Sequence, residues 1–299
     1  MPVVELAGVT KAYESKVAVS NLSLSIDAGQ MFGLLGPNGA GKTSSIRMMM
    51  GITVPDSGRV SLFEKPFERK SLERVGYLPE ERGLYRKMKV LDQLVFFGQL
   101  HGIVAEEARK RAIDWAGRME IADALHKKTE ELSKGMQQKI QFIATLLHEP
   151  GLIVMDEPFS GLDPVNAVLV ERTLLELKAQ GKAILFSTHR MDQVEKLCDT
   201  ICLINNGEAV LAGNLREIKA GYERNRVIVE FEGSSEFLNS EEIEEAKNFS
   251  GHAEIKLHPH GNAQKLLHEA AAATIYRFEL VEPSLEEIFI QTVGGKANA

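Results

Sequence analysis

The chain has 299 residues, 44% hydrophobic and 26% charged, enough apolar side chain to fill the cores of two globular domains at the usual size of about 150 residues each. A formal net charge of -7 without any compensating basic block argues against a surface built for nucleic-acid phosphates. Two cysteines, Cys198 and Cys202, are too few for a disulfide framework or a zinc set and suit a reducing cytosol; no apolar run reaches the ~18 residues that span a bilayer, and the first residues lack the pattern of a signal peptide.

In chain order, apolar alternation predicts strands over about 3–13, 22–26 and 31–35, followed by a glycine-rich turn and a helix, "KTSSIRMMMG", that stops at Gly51. A helix-rich stretch runs from about 90 to 147, with apolar residues at helical spacing in "KVLDQLVFFGQLHG" and "AEEARKRAIDWAGRM". The continuous apolar run of "GLIVMDE" suits a central parallel strand covered on both faces. After Pro164 a long helix ends at Gly181; the strand "KAILFSTH" leads into another helix, and "TICLINNGEAVLAG" carries the Asn-Gly signature of a tight hairpin. The expected layout is an α/β domain over 1–222, with a helical subdomain at about 88–148, and a small mixed α+β appendage over 223–299 whose tail, "GGKANA", is expected to fray. The two histidines of "HPH" at 258–260 lack a third ligand and read as an ordinary loop.

Two segments carry chemistry. "GPNGAGKT" fits the phosphate-loop pattern of Gly, four residues, Gly-Lys-Thr between a strand and a helix. In such a loop Gly36, Pro37, Asn38, Gly39, Ala40 and Gly41 curl so that successive amides face phosphate oxygens; Lys42 brings a point charge to the β and γ phosphates and Thr43, followed by Ser44, holds magnesium. The strand "LIVMDE" ends in two carboxylates where burial alone would not favour them: Asp156, a candidate magnesium holder, and Glu157, a candidate polariser of the attacking water. Carboxylates at a strand end can also be plain solvated surface, and the phosphate loop is what weights them towards function.

Taken together and in order, Tyr13, "GPNGAGKT", "GYLPE", "LSKGM", "DEPFSGLD" and "STH" resemble the ATP-binding subunits of ABC transporters over about residues 3–220. The resemblance implies an α/β P-loop NTPase fold, ATP and Mg2+ as ligands, and ATP hydrolysis coupled to transport. It also implies roles for individual residues. Tyr13 would stack on adenine, Glu80 would reach a magnesium-bound water, Asp163 would end the segment that links two sites of a dimer, and His189 would sense the γ phosphate. This sequence departs from the commonest pattern twice: the signature has Lys134 and Met136 where Leu-Ser-Gly-Gly-Gln is usual, and Glu80 stands where a glutamine usually follows "GYLP". As an anion Glu80 changes the charge balance there, which puts the exact role of that loop in doubt but not the ATPase, and these glutamate and Lys/Met variants resemble those of bacterial exporter subunits with a short C-terminal extension.

"LSKGMQQKI", at 132–140, admits two readings, a helix capped by its own serine or a bare positive surface awaiting a phosphate. In the family this segment lies across the γ phosphate held by a second nucleotide-binding subunit, so Ser133 and Gly135 would complete a site that another chain begins, and one hydroxyl can serve both ends in turn. The implied partners are a second copy or a paralogue and a separate transmembrane permease docking on "EERGLYRKMKV", with the chain peripheral at the cytoplasmic face of the inner membrane. The alternative is a soluble ABC-type ATPase with no membrane partner.

Overall fold

The computed structural model describes residues 2–14, 16–81, 83–222 and 224–294, so most of the tail 294–299 lies outside the described residues. Among them the chain divides into two compact units, Met1–Gly213 and Asn214–Ala299. In the first unit β1 (Pro2–Tyr13) and β2 (Lys16–Asp27) pair antiparallel, then β3 (Met31–Leu35) leads into α1 (Lys42–Met49), followed by β4 (Ser57–Leu62), β5 (Lys65–Pro66) and β6 (Val75–Leu78). Next come α2 (Val90–Leu100), α3 (Ala105–Arg118) and α4 (Lys134–Leu146), with α2 packed on both others. The unit continues through β7 (Leu152–Asp156), α5 (Pro164–Ala179), β8 (Ala183–Thr188), α6 (Met191–Leu197), β9 (Thr200–Asn205) and β10 (Glu208–Asn214).

Two sheets result. The outer sheet has the order β2-β1-β4-β5 and the central one β10-β9-β3-β8-β7-β6. Strands β3, β7 and β8 lie parallel to their neighbours and every residue of each is buried, which is why their sequences read as unbroken apolar runs. Between the sheets α1 places Ile46, Met48 and Met49 against Val4 and Leu6 of β1, Leu22 and Ile26 of β2, and Val154 of β7, forming one continuous core. The β9–β10 turn holds Asn206 and Gly207 at φ 49° and 83°, the left-handed pair that a two-residue hairpin demands.

The sequence reading has no counterpart for β4, β5 and β6, and β2 starts earlier than alternation suggested. The run Val75–Leu78 is too short for a pattern of its own, and it becomes a strand because β7 offers it a parallel edge. In the second unit α7 (Leu215–Ala220) precedes β11 (Arg226–Glu232), β12 (Ile243–Asn248), β13 (His252–Leu257), α8 (Ala263–Ala270), β14 (Thr274–Val281) and α9 (Leu285–Gly294). Its sheet, β12-β13-β11-β14, buries Val227, Val229, Phe231 and Ile255 against Leu266 and Ala270 of α8.

Candidate active site

The site starts where β3 ends. Gly36 and Gly41 stand at φ 148° and 115°, and a Cβ built on them would lie 2.2 Å from the Ile204 carbonyl oxygen and 2.4 Å from that of Ala18. The loop is thus pressed between β2 and β9 with no room for a side chain at either point. Gly41 is also the residue before α1, and no side chain caps that helix, so its first amides are left for an anion at the positive end of the helix. Lys42 folds back over its own loop, its Nζ donating to the carbonyl oxygens of Gly36 at 2.7 Å and Pro37 at 3.1 Å. Burial pulls the pKa of this ammonium down, while Glu157, Asp156 and Glu80 pull it up.

The acids come from neighbouring strands. Asp156 closes β7 opposite Ser187 of β8, and the Ser187 hydroxyl donates to Asp156 Oδ1. Asp156 is 1% exposed, and its Oδ2 is buried without a partner among the described residues. Glu157 follows at φ 51°, a left-handed conformation that turns its carboxylate back across the end of β8. There Glu157 Oε1 accepts from the His189 amide at 3.1 Å and lies 2.8 Å from His189 Nδ1, while the Thr188 hydroxyl donates to Oε2 at 3.3 Å.

A cleft of 320 Å³ gathers Asn38, Gly39, Gly41, Lys42, Thr43 and Ser44 of the loop with Glu80, Asp156 and Glu157. Glu80 arrives two residues beyond the end of β6, the strand that has no signal of its own in the sequence. Lys16, at the start of β2, also lines the cleft; it falls between the strands expected from the sequence, so nothing local marks it. Ser187 and Thr188 belong to the "STH" motif, but their contacts with the acids are not legible there, because nothing in "ILFST" distinguishes a polar strand end from a hydrogen-bond partner of a carboxylate.

Other singled-out residues stand elsewhere. Gly36 and Pro37 contribute carbonyls to Lys42, Ala40 is buried under the loop, and His189 touches the cleft only through Glu157. Tyr13, 41% exposed at the end of β1, has Lys11 Nζ 5.7 Å above its ring. Ser133 is exposed and caps α4, its Oγ accepting from the Met136 amide at 3.2 Å. Gly135 lies close under the next loop, where a Cβ would come within 3.3 Å of the Gly161 carbonyl oxygen. Asp163 caps α5, accepting from the Asn166 amide at 3.0 Å, and the Asn166 donors hold its carboxyl below the usual range. Tyr13, Ser133, Gly135 and Asp163 are not among the residues lining the cleft.

Both cysteines are buried and free, and burial raises their pKa values, that of Cys202 to about 12, which removes them as nucleophiles.

Comparison with known proteins agrees with this architecture. Residues 19–160 match the family described as ABC transporter, and residues 213–293 match the C-terminal domain of ATP-binding proteins like DrrA1-3. The ABC transporter ATP-binding protein YhaQ of Bacillus subtilis is 44% identical over 96% of this chain and 97% of its own length. The Nod factor export ATP-binding protein I of Ralstonia nicotianae is 38% identical over 73% of this chain and 68% of its own. A solved ATP-binding subunit of an ABC transporter superposes with a TM-score of 0.69 at 28% identity, covering 73% of this chain and 92% of the other.

Proposed function

Since the chain belongs to the ABC transporter family, as an ATP-binding protein that hydrolyses ATP, we propose that it energises an exporter by closing with a second nucleotide-binding subunit around two ATP molecules, a separate membrane permease taking up the movement. The observation that carries this reading is the position of Ser133: it is exposed at the start of α4, outside the cleft that Lys42 and the phosphate loop build. A second chain that offered its own Ser133 and Gly135 to the γ phosphate would finish the pocket. ATP then favours the closed pair because its γ phosphate touches both chains, and ADP lacks that contact, so binding and hydrolysis shift the equilibrium in opposite directions.

Within one chain the geometry supports the following roles. Lys42 and the first amides of α1 take the phosphate charge. The Glu157 carboxylate accepts a proton from the water that attacks the γ phosphorus, the bond to the bridging oxygen breaks, and ADP leaves with that oxygen. His189 and Thr188 orient Glu157 through the hydrogen bonds they already make to it. The orphaned Asp156 Oδ2, with Thr43 and Glu80 as further oxygen donors lining the same cleft, fits a magnesium ion; when bound, the ion would supply positive charge to the β and γ phosphates. Among the described residues no helix is long and apolar enough to cross a membrane; the peripheral seat at the inner face of the cell membrane belongs to this reading through the transporter names of the relatives. The export direction is supported by the name of the Ralstonia relative. The segment "EERGLYRKMKV", 80–90, is the proposed docking surface for the permease.

Substituting Glu157→Gln is expected to leave ATP binding intact, lower turnover by ~10²-fold or more for loss of a general base, and trap an ATP-bound dimer on gel filtration. Unchanged turnover would remove Glu157 from the mechanism. Co-expression with the membrane subunit tests the coupling: the chain should be retained in detergent-solubilised membranes, and its complete loss to the soluble fraction would favour an ATPase without a membrane partner.

A further inference from the structure

The sheet of the second unit, β12-β13-β11-β14, ends in two edges of opposite character. β12 carries Glu244, Glu245 and Lys247, with Glu244 paired to Lys256 at 2.8 Å, and charge of this kind keeps an edge from recruiting another strand. β14, "TIYRFELV", is eight residues long, mostly large and apolar, and among the described residues it is bonded to a strand on one side only, by β11. Its Tyr276 and Leu280 are 66% and 44% exposed. A long apolar edge is a template for a further strand unless something covers it.

The register with β11 fixes which way each side chain of β14 faces. Val227, Val229 and Phe231 are buried in the core, so their partners Leu280, Phe278 and Ile275 lie on the core face. Arg277 and Glu279, opposite Glu230 and Ile228, lie on the outer face. Tyr276 is the extra residue of a bulge between Ile275 and Arg277, and its hydroxyl donates to Glu232 Oε2 at 2.5 Å. On the outer face Arg277 bonds to Glu279 of its own strand and lies 3.4 Å from Glu230 of β11. On the core face Leu267 and His268 of α8, with Ala271, Ala273 and Ile275, line an apolar cavity of 390 Å³ beside the strand.

We propose that β14 pairs antiparallel with β14 of a second copy of this chain, about a two-fold axis through Phe278, joining the two four-stranded sheets edge to edge. In such a contact residue i meets j and j meets i. The axis on Phe278 sets Arg277 of each copy against Glu279 of the other, and no other axis along the strand brings these two charges together. An axis on Arg277 or on Glu279 would oppose like charges, which destabilises a pair of strands. On the core face Phe278 meets its own copy. The bulge takes Tyr276 out of the alternation, so Leu280 of one copy meets Ile275 of the other, as Phe231 meets Ile275 on the β11 side. The half-exposed Leu280 then lies beside the apolar cavity that Ile275 lines, and each copy supplies both the projecting side chain and the recess. Charges and apolar groups match in this self-register, which is what selects a second copy over an unrelated strand. The contact needs no nucleotide and lies wholly within the second unit, so it stands or falls separately from closure around ATP. One strand from each copy makes a small interface, at the weak end of the range, which dissociates on dilution.

Sedimentation of the full-length chain without nucleotide, over a hundredfold concentration range, tests this. The wild type should pass from one chain to two as concentration rises, and one chain throughout overturns the proposal. Arg277→Glu opposes glutamates across the axis and Glu279→Arg opposes arginines, so each variant alone should associate at least ~10-fold more weakly. Mixed in equal amounts, the two variants should pair with each other, because one presents two glutamates where the other presents two arginines. The chain carrying both substitutions should associate like the wild type. Recovery on mixing is a readout that misfolding of either variant would not give. Leu280→Asp, at a side chain exposed in the single chain, should weaken association at least ~10-fold, because it puts a carboxylate against the apolar recess. If either charge variant alone, or Leu280→Asp, associates as strongly as the wild type, or if the mixture stays as weak as its components, the contact lies elsewhere and the proposal is overturned.

Discussion

Asp156 divides its carboxylate between a serine and nothing: Ser187 satisfies one oxygen, and the other is buried with no partner among the described residues. A buried carboxylate is costly unless both oxygens are engaged, so a residue in this state is arranged for something that arrives. His148 shows the same tension in a neutral group, and it has a measurable consequence. Its pKa is about 4 when folded against an ordinary 6.5, so between those values the unfolded chain binds a proton that the folded chain refuses. Stability therefore rises with pH across that window, is complete above about 6.5 and is lost as pH falls towards 4, the full shift corresponding to roughly 3 kcal/mol. Urea denaturation of the wild type and of His148→Phe at pH 7 and pH 5 checks this: the variant should lose less stability between the two pH values, and equal losses would assign the acid sensitivity elsewhere.

At the scale of an element, α4 shows how one feature can have two uses. Its start is capped within the chain by Ser133, and nothing else about the helix requires a serine whose hydroxyl faces solvent. Aspartate caps as well as serine, whereas alanine forfeits about 1 kcal/mol. Ser133→Asp should therefore keep the melting temperature close to wild type yet lower ATPase turnover at least ~10-fold, since a carboxylate repels the phosphate that the second site must accept. Ser133→Ala should lower the melting temperature instead. Full turnover in Ser133→Asp would confine the residue to capping. The phosphate loop was legible because its geometry lies within consecutive residues, the glycines being demanded by close backbone approach at Gly36 and Gly41. The strand β6 was not, since Val75–Leu78 is defined by the neighbour it pairs with rather than by a pattern of its own.

At the scale of the whole molecule, the first unit holds one phosphate loop and one Ser133–Gly135 segment, and the two do not share a cleft. An assembly of two such chains would supply each loop with the other's segment. ATPase activity per mole of chain should then climb with protein concentration and level off once pairing is complete, whereas a value independent of concentration over a hundredfold dilution would show that one chain is sufficient. The second unit, with its own four-stranded sheet and core, accounts for the change of texture past residue 225.

By itself the sequence determined the reaction class and the fold class. The phosphate loop and the buried strand ending in Asp156 and Glu157 are local or periodic features, each readable from neighbours within a few positions, and the order of the motifs is read along the chain without any contact between them. Only the tertiary structure decided which distant residues meet. Lys16 enters the cleft, Glu157 is tied to His189 thirty-two positions away, and Gln141 and His148 face Tyr77 and Leu84 across a cavity. These meetings depend on strand order and helix packing, which many sequence patterns satisfy equally well, so they become definite only when the sheets and helices pack together.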